Sequence, residues 1–350
     1  MKKERFTAYR DTDYMYVSAL ARAKERGIIG KDGLSRMIDS EAAILAEHGY
    51  IPSAKEGLSP GERDRLIDEE LSARFDEIEA VLPHFEGETH SIVTPLRYPY
   101  DCNNIKMALK CSIRGIGTDG LLFGAGTLTP ETVTAMVAGE LKEEDVRPCG
   151  KSRAEGVPFN MSRALRDAKD AYAASKNPRV IDLLLDRACY ADMLEAAETM
   201  GVPYLTDYVK LKIDSTNLLT ALRVVRMYGD SPVRGSVLED ALLDGGDLDL
   251  LSATDGREAI ADAVRSDARF GKIASHLTET DSLSELERII DGVISDFIIE
   301  SKRVSFGAEV PIGYLLGFEL SVKNVRIVMA GKEAQLDGAL IRERLRENYV

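Results

Sequence analysis

Two glycine-rich strings have spacings that could bind a phosphate group. Residues 115–120, GIGTDG, match the G-x-G-x-x-G string of dinucleotide sites, and residues 145–152, DVRPCGKS, are one residue short of a P-loop. The first string follows a helix-like segment, whereas a dinucleotide site needs a buried strand before it. In the second, Asp145 puts a carboxylate where backbone amides should face phosphate, and Pro148 removes one amide donor. The first string therefore predicts a helix C-cap and turn, and the second a loop without a nucleotide.

Three clusters of acidic residues could in principle supply paired carboxylates for hydrolysis or for Mg²⁺. They are Asp11 with Asp13, Glu143 with Glu144 and Asp145, and Asp244 with Asp247 and Asp249. Because they lie near predicted helix starts, where a carboxylate stabilises the helix dipole, we interpret them as solvated helix N-termini. The four histidines form no HxxxH or HExxH spacing, which leaves a zinc site or catalytic triad with little support. The sequence predicts no catalytic residue, no metal site and no cofactor.

The composition is that of an ordinary soluble protein, and it argues against several classes of function. The 350 residues include 45 basic and 59 acidic side chains, for a net charge of −14. This excess of acid argues against non-specific binding to nucleic acid, which requires a basic surface. No signal peptide or membrane span is evident, so we expect a cytoplasmic protein that reaches a membrane only through another protein. The cysteines (Cys102, Cys111, Cys149 and Cys189) are scattered and are predicted to be reduced core residues.

Helical signals run along nearly the whole chain. Ser59 to Glu62 and Ser282 to Glu285 have the spacing of capping boxes, each before an amphipathic segment. Residues 203–228 contain no internal proline or glycine, which predicts one helix of roughly 39 Å, and residues 311–330 predict another long helix. No segment alternates convincingly with the period of a strand. The sequence therefore predicts an all-α protein.

Three segments of the chain resemble one another. They are Tyr100-Asp101-Cys-Asn-Asn104-Ile-Lys, Asp214-Ser-Thr-Asn217-Leu-Leu-Thr-Ala-Leu-Arg223, and Ser321-Val-Lys-Asn324-Val-Arg326-Ile. Their asparagines recur about every 110 residues, longer than the 20–50 residues of common solenoid repeats. The segments that begin at Gly126 and Gly235 resemble each other more weakly, and each predicts a turn that leads into a short helix. The pattern predicts three units, at residues 1–120, 121–234 and 235–350.

Asparagine has a poor helix propensity, so its recurrence within three predicted helices needs a reason. One hypothesis is architectural: a buried amide that bonds a neighbouring turn would fix how each unit docks, since an unpaired buried amide costs about 1–3 kcal/mol. The alternative is a ligand site, for which the asparagines would have to converge in one pocket. We favour the architectural hypothesis.

With these segments identified, the chain resembles the C subunit of the V/A-type (vacuolar/archaeal-type) ATP synthase, a relative of the d subunit of the eukaryotic V-ATPase. The resemblance rests on residues 13–22 and on the three repeated segments, together with Tyr208, Tyr314 and Glu319, and it covers nearly the whole chain. It implies three pseudo-repeated helical bundles around a central funnel. The third segment departs from the pattern, with Ser321 where Asp101 and Asp214 stand in the others. We therefore expect no equivalent carboxylate contact there.

The resemblance also implies a role in a rotor. A protein of this kind is non-catalytic and couples the central shaft subunits of the catalytic head to the proteolipid ring in the membrane. It would lie on the cytoplasmic face without entering the bilayer. From the sequence itself we expect a monomer in isolation.

Two other classes of function stand beside this one. A helical-repeat scaffold for protein binding usually has shorter repeats. A carboxylate-dependent hydrolase would need acids that meet in one cleft, which the spacing does not indicate.

Overall fold

The computed structural model describes residues 10–51, 58–83, 91–141, 146–147, 157–251 and 255–350. The N-terminal part forms the helices α1 (Met15–Lys24), α2 (Lys31–Asp39), α3 (Glu41–Glu47), α4 (Pro60–Glu79), α5 (Thr94–Arg114), α6 (Pro130–Ala138) and α7 (Phe159–Ser175). The rest forms α8 (Arg179–Met200), α9 (Pro203–Tyr228), α10 (Arg234–Ala241), α11 (Arg257–Arg265), α12 (His276–Glu279), α13 (Leu283–Glu300), α14 (Glu309–Glu333) and α15 (Gly338–Arg344).

The all-α fold class is confirmed. Within the described ranges, strand structure is confined to β1 (Val146–Arg147) and β2 (Val157–Pro158), which pair in parallel as a two-stranded sheet. Short 3-10 turns occur at Asp11–Tyr14, Glu25–Gly27, Gly271–Ile273 and Ser301–Arg303. The arrangement of the bundles around a central funnel stays a prediction.

Helix starts follow from local capping. The Ser59 hydroxyl accepts from the Glu62 N–H at 3.3 Å, and the Glu62 carboxylate accepts from the Ser59 N–H at 2.9 Å, so the predicted capping box of α4 is confirmed. At α13 only half of the predicted box forms. Ser282 accepts from the Glu285 N–H at 3.3 Å, whereas the Glu285 carboxylate accepts from the hydroxyl of Thr280. The Thr280 hydroxyl also accepts from the Ser282 N–H, at 3.2 Å, and it thereby takes the place that the Glu285 carboxylate would have in a complete capping box.

The three helices that carry the repeated segments are long and organise the packing. Helix α5 packs against α6 and α8, and α9 packs against α8, α10, α11 and α13. Helix α14 packs against α1, α2, α4, α13 and α15. One apolar core consists of buried residues between Tyr14 and Ile213, of Leu243 and of buried residues between Ile298 and Tyr349. A second consists of buried residues between Leu211 and Val293. The second core extends across residue 234, and the division at residues 120 and 234 stays a prediction.

The two ends of the chain are held together by polar contacts. The Arg22 guanidinium donates to the carbonyls of Ser301 and Val304, both at 2.8 Å. The buried Tyr349 donates its hydroxyl to the Glu25 carboxylate at 2.7 Å. The helices at the start of the chain therefore complete the packing around α14.

Candidate functional site

Two buried asparagines each bind both backbone polar groups of one residue further along the chain, an arrangement we call an asparagine clamp. Asn104 on α5 donates to the Phe123 carbonyl at 2.7 Å and accepts from the Phe123 N–H at 2.8 Å. Asn217 on α9 donates to the Leu243 carbonyl at 2.9 Å and accepts from the Leu243 N–H at 2.7 Å. Because each amide reproduces the hydrogen bonding of a peptide group, it anchors an irregular segment against a long helix.

The third repeat forms a similar clamp with different surroundings. Asn324 accepts from the Arg346 N–H at 2.8 Å and donates to the Arg346 carbonyl at 3.3 Å. Ser321 occupies the aspartate position, and its hydroxyl shares a 2.9 Å hydrogen bond with Tyr50 and donates to the Ile29 carbonyl at 3.2 Å. A hydroxyl contact with the N-terminal part of the chain thus replaces the carboxylate contact, in agreement with the expectation from Ser321.

The first repeated aspartate binds a turn that precedes α6. Asp101 accepts from the backbone N–H groups of Thr127 at 3.1 Å and Leu128 at 2.9 Å, and from the Thr127 hydroxyl at 2.7 Å. The carboxylate lies so close to Gly126 that a Cβ there would be 2.1 Å from its Oδ1 atom. Burial raises the pKa of Asp101 to about 6, and these hydrogen bonds oppose the rise.

The second repeated aspartate makes the same kind of contact. Asp214 accepts from the N–H groups of Asp247 and Leu248, both at 3.0 Å, and from the Arg269 guanidinium at 2.8 Å. A Cβ at Gly246 would lie 2.2 Å from the Asp214 Oδ1 atom. Burial raises the pKa of Asp214 while the backbone N–H groups and Arg269 lower it.

The counterpart of Gly126 is Gly246, so the predicted correspondence between Gly126 and Gly235 is wrong. Gly235 lies within α10, and a Cβ there would meet no atom within 4 Å. The sequence pattern paired two glycines near the starts of short helices, whereas the structure pairs two glycines that face an aspartate.

Sequence reasoning missed a third carboxylate of this type, because Asp192 on α8 has no asparagine three residues later. It accepts from the N–H groups of Asn160 at 3.1 Å and Met161 at 3.0 Å, and from the Asn160 side chain at 2.7 Å. These contacts hold the start of α7 against α8. Burial raises the pKa of Asp192 to about 7.

The two repeated arginines connect helices at the surface. Arg223 on α9 lies 3.7 Å from the Glu287 carboxylate of α13, and both side chains are roughly half exposed. Arg326 on α14 forms ion pairs with Asp64, at 2.9 Å, and Asp68 of α4. An exposed ion pair such as Arg223–Glu287 contributes about 0–1 kcal/mol to stability, so we expect Arg223 to add little to the stability of the fold.

Tyr100, the remaining predicted residue, donates its hydroxyl to the carboxylate of Glu319 on α14. Burial raises the pKa of Glu319 to about 7, and the Tyr100 hydrogen bond, Lys212 and Lys323 oppose that rise. Both residues line a cleft of about 350 Å³ between α4, α5 and α14. The lining residues are Leu71, Tyr100, Glu319, Val322, Lys323, Arg326, Ile327 and Ala330.

The predicted site residues are therefore spread over several places. Tyr100 and Arg326 line the same cleft, whereas the three asparagines bind three different segments of the chain. These contacts favour the architectural hypothesis over a shared ligand pocket, and the role of the asparagines stays a prediction.

Two of the sequence motifs can be placed in the structure. Gly115 is the C-cap of α5, with φ of 67°, which confirms that the 115–120 string ends a helix. Cys102, Cys111 and Cys189 are buried free thiols, as predicted, and Cys149 lies outside the described residues. The string at 145–152 also lies outside them, apart from Val146 and Arg147, as does the acidic cluster at 143–145.

Metal-binding clusters and membrane-spanning helices are two further features that a functional site could include. Within the described ranges, no group of three His, Cys, Asp or Glu side chains is arranged to hold a metal ion. Nor does any described helix combine the length and the apolar character that a membrane span requires.

Comparison with known proteins gives a consistent match over the chain. The family model described as ATP synthase (C/AC39) subunit matches residues 17–344. The C subunit of the V-type sodium ATPase of Enterococcus hirae is 24% identical, with 96% of this chain and 99% of that protein aligned. The C subunit of the A-type ATP synthase of Haloferax volcanii is also 24% identical, over 94% of this chain and 96% of its own. The chain belongs to the ATP synthase (C/AC39) subunit family, the C subunits of V-type and A-type ATP synthases.

Proposed function

We propose that this chain is a non-catalytic central-stalk subunit that couples the rotating shaft of the catalytic head to the membrane rotor ring during ion transport. Its partners are then the central shaft subunits on one side and the proteolipid subunits of the ring on the other. It is peripheral on the cytoplasmic face of the membrane and a monomer when isolated. The observation that carries the proposal is the family match across residues 17–344.

The contacts of the repeated residues support a structural role. Asp101, Asp214 and the three asparagines bind backbone groups of the chain itself, which leaves them committed to holding segments together. Such contacts fix irregular segments to the long helices, which suits a body that transmits torque.

The test is to rebuild the ATPase complex in vesicles with and without this chain. We expect the complex without it to hydrolyse ATP in its soluble head while ATP-driven ion uptake into the vesicles disappears. The purified chain alone should show no ATPase activity. Full ATP-driven uptake without the chain would rule out the coupling role.

Charge gives a second test of the attachment. The chain carries a net charge of −14, so its partners should present basic contact surfaces. Raising the ionic strength screens such contacts, and we expect it to release the chain from the complex. Attachment that resists salt would contradict this polar mode of docking.

A further inference from the structure

Glu319 lies in the cleft between α4, α5 and α14, at a place where three long helices influence one carboxylate. Tyr100 of α5 donates a hydrogen bond to it, and Lys212 of α9 and Lys323 of α14 act on it electrostatically. Tyr208, also on α9, is buried nearby, and this burial and the charge of Glu319 both raise the pKa of its hydroxyl. The carboxylate is therefore surrounded by helices that differ widely in sequence position.

The cationic side chains of this cleft are already paired with other acids. Lys323 lies 2.8 Å from Asp291, and Arg326 binds Asp64 and Asp68. Among the described residues, neither Glu319 nor Lys212 takes part in an ion pair within 4 Å, and the Tyr100 hydroxyl is the hydrogen-bond donor to Glu319. The cleft thus contains a partly desolvated carboxylate without a close counter-ion, and such a group gains most from a cation brought to it.

The cleft walls suit a particular kind of cation. Leu71, Val322, Ile327 and Ala330 supply apolar surface around the carboxylate. Lysine and arginine bury their methylene stems against apolar surface and present the charge at the tip. A volume of about 350 Å³ has room for one such side chain.

We propose that Glu319 is the acceptor for a lysine or arginine side chain that another protein of the ATPase complex inserts into this cleft. The inference rests on the proposed function for the existence of that partner, and it adds the chemistry of the contact. The net charge of −14 favours a basic partner over an acidic one.

The contact should depend on pH. The pKa of Glu319 is about 7, so the carboxylate is mostly protonated near pH 6 and mostly ionised near pH 8. The groups that face it are Tyr100, Tyr208, Lys212 and Lys323. Burial raises the pKa of both tyrosines well above its usual value, so neither hydroxyl ionises in this range. If docking requires the ionised form of Glu319, affinity should be about tenfold higher at about pH 8 than at about pH 6.

The first experiment measures the affinity of the chain for a complex that was prepared without it, at these two pH values. The variants are Glu319→Gln and the matched control Glu333→Gln, an exposed position on the same helix. We expect the parent and Glu333→Gln to bind more tightly at the higher pH. Glu319→Gln should bind at least about tenfold more weakly there and should lose most of the pH dependence. Circular dichroism checks that each variant is folded.

The second experiment uses the parent chain and does not depend on a variant. Carbodiimide with an amine nucleophile labels accessible carboxyl groups, which peptide mass spectrometry then locates. We expect Glu319 to be labelled in the free chain and protected in the assembled complex, with Glu333 labelled in both.

The outcomes separate the two proposals. If the parent chain does not bind the complex at all, the proposed function fails. If the parent binds and Glu319→Gln binds equally well or more tightly, or if Glu319 stays labelled after assembly, the cleft does not accept a basic side chain and this inference alone is overturned.

Discussion

Asp101, Asp192 and Asp214 show how single buried carboxylates hold irregular backbone. Each accepts from the N–H groups of two consecutive residues, at distances of 2.9–3.1 Å for Asp101 and 3.0–3.1 Å for Asp192. Such N–H groups have no partner within a helix or sheet, and leaving one buried and unpaired costs about 1–3 kcal/mol. Burial nevertheless raises the pKa of all three carboxyl groups, so ionisation is partly opposed.

This balance predicts how stability depends on pH. Burial raises the pKa of Asp192 from 3.8 to about 7, so the folded chain binds this proton more tightly than the unfolded chain. Its contribution to stability is complete below the unfolded pKa and is lost as the pH rises toward 7, with a slope of at most about 1.4 kcal/mol per pH unit. We expect Asp192→Asn to flatten the fall in unfolding free energy between about pH 4 and about pH 7. Urea denaturation across this range tests it, and equal slopes in parent and variant would contradict it.

The asparagine clamps predict the effect of substitutions at two matching positions. Asn104→Leu leaves the N–H and carbonyl of Phe123 unpaired, and Asn217→Leu does the same at Leu243. We expect each to lower the unfolding free energy by about 1–3 kcal/mol with little change in helix content. The control is Asn103→Leu, because Asn103 is exposed on the same helix as Asn104. If the buried and exposed variants melt alike, the architectural role of the clamps is wrong.

At the scale of elements, two turns pack closely against long helices because each turn has a glycine where it meets a buried aspartate of the helix. A methyl group at Gly126 or Gly246 would collide with a buried aspartate, at 2.1 and 2.2 Å. We expect Gly126→Ala and Gly246→Ala each to destabilise the chain by about 1–3 kcal/mol through overpacking. Gly235→Ala is the control, because its Cβ meets nothing within 4 Å and alanine favours a helix by about 0.5–1 kcal/mol. Thermal melting separates the cases, and a destabilised Gly235→Ala would restore the correspondence that the sequence suggested.

The sequence predicted elements well where the signal is local. The 203–228 helix is α9 with the same bounds, and the Ser59 box caps α4. It could not identify the partners of the repeated residues, since hydrogen bonding between a side chain and a distant backbone leaves no periodic pattern. Tyr100 and Glu319 are 219 residues apart, and no local rule joins them. Nor does any pattern indicate that α1 and α2 pack against α14.

At the scale of the whole molecule, the C-terminal segment fastens the first helices to the last. Tyr349 is 3% exposed, its ring packs at Gly317, and its hydroxyl donates to Glu25. We expect Tyr349→Ala to cost about 3–5 kcal/mol, as for other buried aromatic side chains, and Tyr349→Phe to cost about 1 kcal/mol.

The contact of Tyr349 with the first helices can be tested by where a protease cuts the variant. Limited proteolysis of Tyr349→Ala should cut residues 10–51 sooner than in the parent, because their contacts with the end of the chain are loosened. Cleavage confined to the C-terminal segment would mean that the two ends are stabilised independently.

The contact between the chain ends also sets an order for folding during synthesis. Helices α1 and α2 leave the ribosome long before α14, against which they pack. The hydrogen bond from Arg22 to Ser301 spans 279 residues, a closure that can form only after most of the chain has left the exit tunnel. The region around α5 and α8 can fold early, whereas the apolar faces of α1 and α2 stay exposed until α14 is available to cover them. A nascent chain stalled before α14 should therefore bind chaperones through its N-terminal helices, and the finished chain should release them.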